Sequence, residues 1–129
     1  MSNKAPFTAC VFAALITGPA FAENTFQNSC SEIHFAYSGN QPTLKAVCVK
    51  PDGTANPSTL PLQGISNQNG ILTRRGGPSN FHQTCGNIEI IIAGPNTTLS
   101  AICKTNNGSA NSTSLSLDNI RNNNGNLSQ

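Results

Sequence analysis

This chain is one pattern written twice. With Phe26 set over Phe81, Cys30 falls on Cys85, Cys48 on Cys103, Gly53 on Gly108, and Ala55-Asn56 on Ala110-Asn111. Leu60, Leu62 and Ile65 fall on Leu115, Leu117 and Ile120, and Asn69-Gly70 on Asn124-Gly125, without a gap. A period of about 55 residues held through cysteines, turns and apolar positions is an internal duplication. The first copy runs over residues 26–74, the second over 81–129, and 75–80 links them. Each copy is small for a core of its own, so the two are expected to make one small domain.

Residues 1–22 read as a secretory signal peptide. Lys4 supplies the positive start, residues 7–16 the apolar stretch, and Ala20-Phe21-Ala22 a small-x-small cleavage site before Glu23. The apolar run falls short of the roughly 20 residues that span a bilayer. The expected location is therefore extracellular or bacterial periplasmic. Cys10 leaves with the signal, and the four remaining cysteines suit disulfides in an exported protein. Equal spacing within the copies favours Cys30–Cys48 and Cys85–Cys103, though four cysteines allow three connectivities.

Between the cysteines the pattern is that of strands and turns. Ile33 to Tyr37 alternates, breaks at Gly39-Asn40 and Pro42, and resumes from Leu44 until Pro51-Asp52-Gly53. The second copy repeats this around Gly94-Pro95-Asn96 and Asn106-Asn107-Gly108. Asn69-Gly70 and Asn124-Gly125 are tight-hairpin signals, because both residue types accept positive φ. The run Ile90-Ile91-Ile92 predicts a strand buried on both faces. The fold class is all-β, with at most short helical turns near 26–30 and 81–85.

Chemistry is sparse. His34 and His82 fall at unmatched positions of the copies, the carboxylates are scattered singly, and no nucleophile or phosphate-binding motif is present. That points away from an enzyme, and no metal or other cofactor is expected. Seven basic against five acidic residues form no basic stripe for nucleic acid and no polybasic membrane anchor. Asn, Ser, Thr and Gln dominate the polar surface; they both donate and accept hydrogen bonds, which suits a polyhydroxylated ligand and plain solvent alike. With no Trp and one Tyr, stacking on an indole is not available to such a site.

Phe81-x-x-Thr84-Cys85, Ala101-x-Cys103-Lys104-Thr105, Leu115-x-Leu117-Asp118 and Ile120-x-Asn122-x-Asn124-Gly125-x-Leu127 together resemble the second repeat of cyanovirin-N homologues. Pro78-Ser79-Asn80-Phe81 resembles the stretch that joins the two repeats in that family, and the first copy follows the scheme more loosely. The resemblance spans essentially all of 23–129. It implies a pseudo-symmetric fold of three-stranded sheets with exchanged β-hairpins, and a metal-free lectin for mannose-containing oligosaccharides of the α1-2 type. Oligosaccharides or glycoproteins would be its partners.

Carried over position by position, the resemblance implies two sites. The second-repeat site would use Asn67, Asn69, Ser79, Asn80, Thr84, Lys104, Thr105, Asn106 and Gly108. The first-repeat site would use Thr25, Asn28, Ser29, Asn122, Asn123 and Asn124. In the latter, Val49-Lys50-Pro51 stands where cyanovirin-N has an acid and a threonine; Val49 has no polar side chain and Pro51 no N–H. The second site is therefore expected to be competent and the first weakened. A disulfide-stapled scaffold for a protein partner is the alternative reading. Four N-glycosylation sequons, at Asn96, Asn107, Asn111 and Asn126, would matter only in a eukaryotic secretory pathway. The linker, with Gly76-Gly77 before Pro78, reads as a hinge, so a monomer with some domain-swapped dimer is expected.

Overall fold

The computed structural model describes residues 25–129; the signal-peptide reading falls outside them. Each copy opens with one 3-10 turn, Phe26–Asn28 and Phe81–Gln83. In the first copy β1 (Cys30–Ser38), β2 (Gln41–Val49) and β3 (Ala55–Pro61) form an antiparallel sheet, followed by a hairpin of β4 (Ile65–Gln68) and β5 (Ile71–Arg74). The second copy repeats this with β6 (Cys85–Ala93), β7 (Asn96–Lys104) and β8 (Ala110–Leu117), then a hairpin of β9 (Arg121–Asn123) and β10 (Asn126–Ser128).

The duplication extends to backbone angles. Asn69-Gly70 and Asn124-Gly125 have positive φ at both residues, as their tight turns require. Both first strands carry a β-bulge, between Ser31 and His34 and between Gly86 and Glu89. It puts Glu32 at φ 52° and Asn87 at φ 49°. Cys30 pairs with Cys48 and Cys85 with Cys103 as cross-strand neighbours, and both pairs are disulfide-bonded. With 18 residues separating each pair, each link contributes about 3 kcal/mol by the chain-entropy argument.

The hairpins are exchanged. β4–β5 of the first copy docks on the second sheet: Leu72 N–H donates to Thr113 Oγ1 (3.1 Å), and Asn111 Nδ2 donates to Gly70 O (2.7 Å). In mirror fashion, Leu127 N–H donates to Ser58 Oγ (2.8 Å) and Asn56 Nδ2 to Gly125 O (2.6 Å). Side chains of the other copy crowd each tip: a Cβ on Gly70 would lie 2.7 Å from Thr105 Cγ2, and one on Gly125 2.6 Å from Lys50 Cγ. The recurring Ala-Asn pair thus has a reason: its asparagine holds the tip of the other copy's hairpin.

One core runs through both halves. Phe26, Leu44, Leu62 and Ile65 are buried with Phe81, Leu99, Leu117 and Ile120. Phe35 meets Phe81 edge-on across the copies, with centroids 6.4 Å apart. The isoleucine run differs from its sequence reading: Ile90 is half-buried, whereas Ile91 and Ile92 remain 45% and 37% exposed. Among the described residues no second layer covers this part of the sheet, so the strand is not buried on both faces.

The linker is tied down rather than loose. Gly64 N–H donates to Gly77 O, Arg75 N–H to Gly64 O, and Asn80 N–H to Ile65 O. Ser79 is buried; its hydroxyl accepts from Ile65 N–H (2.9 Å) and donates to Leu62 O (2.5 Å). The linker is thereby held against residues 62–65 of the first copy.

Candidate functional site

Each hairpin tip meets the 3-10 turn and the post-cysteine loop of the other copy, and one asparagine organises each meeting. Asn67 Nδ2 donates to Thr84 Oγ1 (2.9 Å) and Lys104 O (3.0 Å), while its Oδ1 accepts Gly70 N–H (2.7 Å). Asn122 does the same at the opposite end, donating to Ser29 Oγ (2.8 Å) and Val49 O (2.9 Å) and accepting Gly125 N–H (2.7 Å). These asparagines build the sites: their amides are engaged inside the protein.

The loops after the second cysteines close alike. Thr105 N–H donates to Ser109 O, and Gly108 N–H to Thr105 O. Lys50 N–H donates to Thr54 O, and Gly53 N–H to Lys50 O. Asn107 Oδ1 accepts from Thr105 Oγ1 (2.5 Å) and Ser109 N–H (3.1 Å). Asp52 Oδ1 fills that position in the first copy, accepting from Thr54 Oγ1 (2.6 Å) and Thr54 N–H (3.0 Å).

The Thr54 hydroxyl and amide hold the Asp52 carboxyl below its ordinary value of 3.8. Because the folded value is the lower one, the stabilisation is complete above the ordinary value and fades as pH falls through the folded value. Loop 50–54 is expected to loosen below about pH 4, while loop 105–109, closed by an amide, stays unchanged. Amide shifts of Thr54 and Ser109 followed from roughly pH 5 down to pH 2 check this. Equal responses in the two loops would count against it.

This pattern of a duplicated sheet, exchanged hairpin and matched polar tip has known counterparts. A CVNH domain profile matches residues 26–128. The chain belongs to the CVNH family. Solved CVNH structures superpose over most of their length. A microvirin:mannobiose complex shares 31% identity at a TM-score of 0.62, covering 81% of this chain and 97% of that one. The homologue from T. borchii shares 28% at 0.61, covering 81% and 97%. The homologue from Gibberella zeae shares 28% at 0.57, covering 79% and 94%. Comparison with curated proteins returns no match.

Within the CVNH frame the two tips differ where the post-cysteine loop meets the hairpin turn. At the second-repeat tip, Asn106 N–H donates to Asn69 Oδ1 at 2.8 Å, fixing the exposed Asn69 amide and leaving its Nδ2 directed away from the loop's donor. At the other tip the matching residue is Pro51, which has no N–H for Asn124. Lys50 takes the place of Thr105 there, its aliphatic stem lying over Gly125.

The residues assigned from the sequence thus fall into two kinds. Asn80, Lys104 and Asn106 are exposed, with side chains not committed to bonds within the described residues. Thr84 Oγ1 accepts from Asn67 and keeps its own proton to donate. Asn67, Ser79 and Thr105 hold the backbone in place, and Gly108 supplies the loop's positive φ of 89°. At the first tip Thr25, Asn28, Asn123 and Asn124 are exposed and Ser29 accepts from Asn122. Two residues outside the sequence assignment join them: Asn107, which shapes the loop, and Asn111, which holds the tip. The repeated Ala-Asn pair was a signal for Asn111; nothing comparable pointed to Asn107. Among the described residues no three His, Cys, Asp or Glu side chains cluster to hold a metal.

Proposed function

We propose that this CVNH protein is an exported lectin that binds mannose-containing oligosaccharides of the α1-2 type through its second-repeat tip. The observation that carries the ranking is the Asn106 N–H···Oδ1 Asn69 bond, which orients polar groups at that tip and has no equivalent beside Pro51. Support for the ligand class comes from a relative 31% identical whose structure is a mannobiose complex, and from a designed homologue, 28% identical, described as a lectin. Binding, rather than catalysis, suits a surface made of amides and hydroxyls. Oligosaccharides or glycoproteins are then the partners, and no cofactor takes part.

Titration of a high-mannose oligosaccharide is expected to perturb amides at 80–84 and 104–108 before those at 25–29 and 50–54. Asn80→Ala combined with Thr84→Ala removes most of the affinity, and Thr25→Ala much less. Equal losses would refute the ranking, and silence at about millimolar ligand would refute the lectin.

A further inference from the structure

We propose that the outer face of the first sheet carries a separate cleft for a single neutral sugar unit. The cleft, about 280 Å³, is lined by Glu32, His34, Lys45, Val47, Pro57 and Thr59. Its strand β3 also holds the second hairpin through the Asn56 and Ser58 side chains, which alternate with Pro57 and Thr59 of the cleft. Register explains its floor: His34 pairs with Lys45 and Lys45 with Thr59, forming one row across three strands, and Val47 pairs with Pro57 in another. The β-bulge between Ser31 and His34 brings Glu32 to the rim.

The Glu32, Lys45 and Thr59 side chains form no bond within the described residues. Lys45 is half-buried and Glu32 exposed, and neither forms an ion pair within the described residues. His34 Nδ1 lies 2.8 Å from Glu32 O. A carbonyl can only accept, so Nδ1 carries the proton and Nε2 of the neutral ring is an acceptor. The cleft therefore offers an ammonium donor, a carboxylate acceptor, an imidazole acceptor and a hydroxyl, beside the apolar Val47 and Pro57.

That set selects its ligand class. Glu32 opposes an anion and Lys45 opposes a cation. A neutral ligand whose substituents both donate and accept satisfies both charges, and each such hydrogen bond is about twice as strong as a neutral one. Sugar hydroxyls meet this requirement, and a ring's C–H face suits Val47 and Pro57. The volume is just below the roughly 300–1,000 Å³ of drug-sized pockets, which fits one ring rather than a chain.

The fold does not demand these residues. The second copy builds the same sheet with Asn87, Glu89, Ser100, Ile102, Ser112 and Ser114 at the matching positions. Its bulge uses Asn87 at φ 49°, a conformation asparagine adopts more readily than the glutamate at φ 52° in the first copy. Glu32 is thus not explained by the backbone, nor half-buried Lys45 by packing that Ser100 manages without.

That the ligand is a sugar rests on the lectin reading; the position of the cleft does not. The test is a ¹H–¹⁵N titration of the purified protein with methyl glycosides of mannose, glucose, galactose and N-acetylglucosamine, to about 50 mM. At least one is expected to give saturating shifts at amides 45–47 and 59. Glu32→Ala or Lys45→Ala should weaken that response about tenfold or more, leaving oligosaccharide binding at 104–108 intact. Asn106→Pro should do the reverse. Oligosaccharide binding at 104–108 with a silent cleft overturns this inference alone; silence at both overturns the lectin reading as well. Cleft shifts unaffected by either substitution, or stronger with glucuronate or glucosamine than with neutral sugars, also overturn it.

Discussion

Asn106→Pro is expected to lower oligosaccharide affinity at the second-repeat tip at least tenfold while leaving the fold in place. The substitution removes the N–H that fixes Asn69 Oδ1 and the exposed Asn106 amide together. Losing this oriented hydrogen bond costs about 0.5–1.5 kcal/mol, and loss of the exposed Asn106 side-chain amide as a ligand contact adds to it. Proline itself fits the loop. The first copy closes the same turn around Pro51, and the bonds Thr105 N–H to Ser109 O and Gly108 N–H to Thr105 O do not use residue 106. Asn106→Ala separates the two contributions, because it keeps the N–H and loses only the side chain. Affinities measured by calorimetry should fall in the order parent, Ala, Pro. A proline variant that binds as tightly as the parent would remove the basis for ranking the two tips. The converse change, Pro51→Asn, restores a donor opposite Asn124 and should strengthen the first tip if it binds at all.

Phe81→Ala is expected to destabilise the protein by about 3–5 kcal/mol, a large share of the 5–15 kcal/mol typical of such domains. Its ring is fully buried, and it joins the copies by meeting Phe35 edge-on. The ring also sits on the 3-10 turn that carries Asn80 and Thr84 toward the tip. Ile91→Ala is the contrast. Although it stands in a run of three isoleucines, Ile91 is 45% exposed and its truncation should alter stability by at most about 1 kcal/mol. Denaturant unfolding of the two variants distinguishes them. Comparable losses would mean that the isoleucine run is core after all.

Those two residues show what was legible in the sequence. Phe26 and Phe81 stand at matching positions of the repeat, and matched apolar residues became the shared core. The turns and the disulfide pairs were readable for the same reason, since each signal occurs twice and each occurrence supports the other. Ile91 was misread because periodicity within three successive isoleucines carries no alternation; only the absence of a covering layer decides which are exposed. The bulges at Glu32 and Asn87 were invisible, as neither residue type signals a left-handed backbone strongly enough. Among the assigned site residues, the structure separates exposed side chains from those bonded within the protein. Asn67 and Ser79 carry groups suited to a sugar, yet Asn67 joins three backbone or side-chain partners and Ser79 lies buried in the clamp at Leu62 and Ile65. Composition cannot tell an amide that faces solvent from one that holds a turn.

The linker offers the same lesson about flexibility. Gly76-Gly77 reads as slack, but Gly77 O is held by Gly64 N–H and Arg75 N–H by Gly64 O. Gly64 is needed for that approach: a Cβ there would stand 2.8 Å from Arg75 O. Its counterpart Asn119 also has positive φ.

The hairpin exchange has a consequence for how such a chain can arise. Each sheet presents an edge suited to the other copy's hairpin, and Asn56 and Asn111 grip the two tips by equivalent bonds. Nothing in either contact requires the partners to share a polypeptide. Two separate molecules of a single ancestral repeat would close both contacts around a twofold axis, and a gene fusion would then need only a short peptide to make the pair permanent. Once joined, the halves no longer have to serve themselves and each other identically. Pro51 at the position matching Asn106, and Lys45 at that matching Ser100, are the divergence that this covalent tether permits.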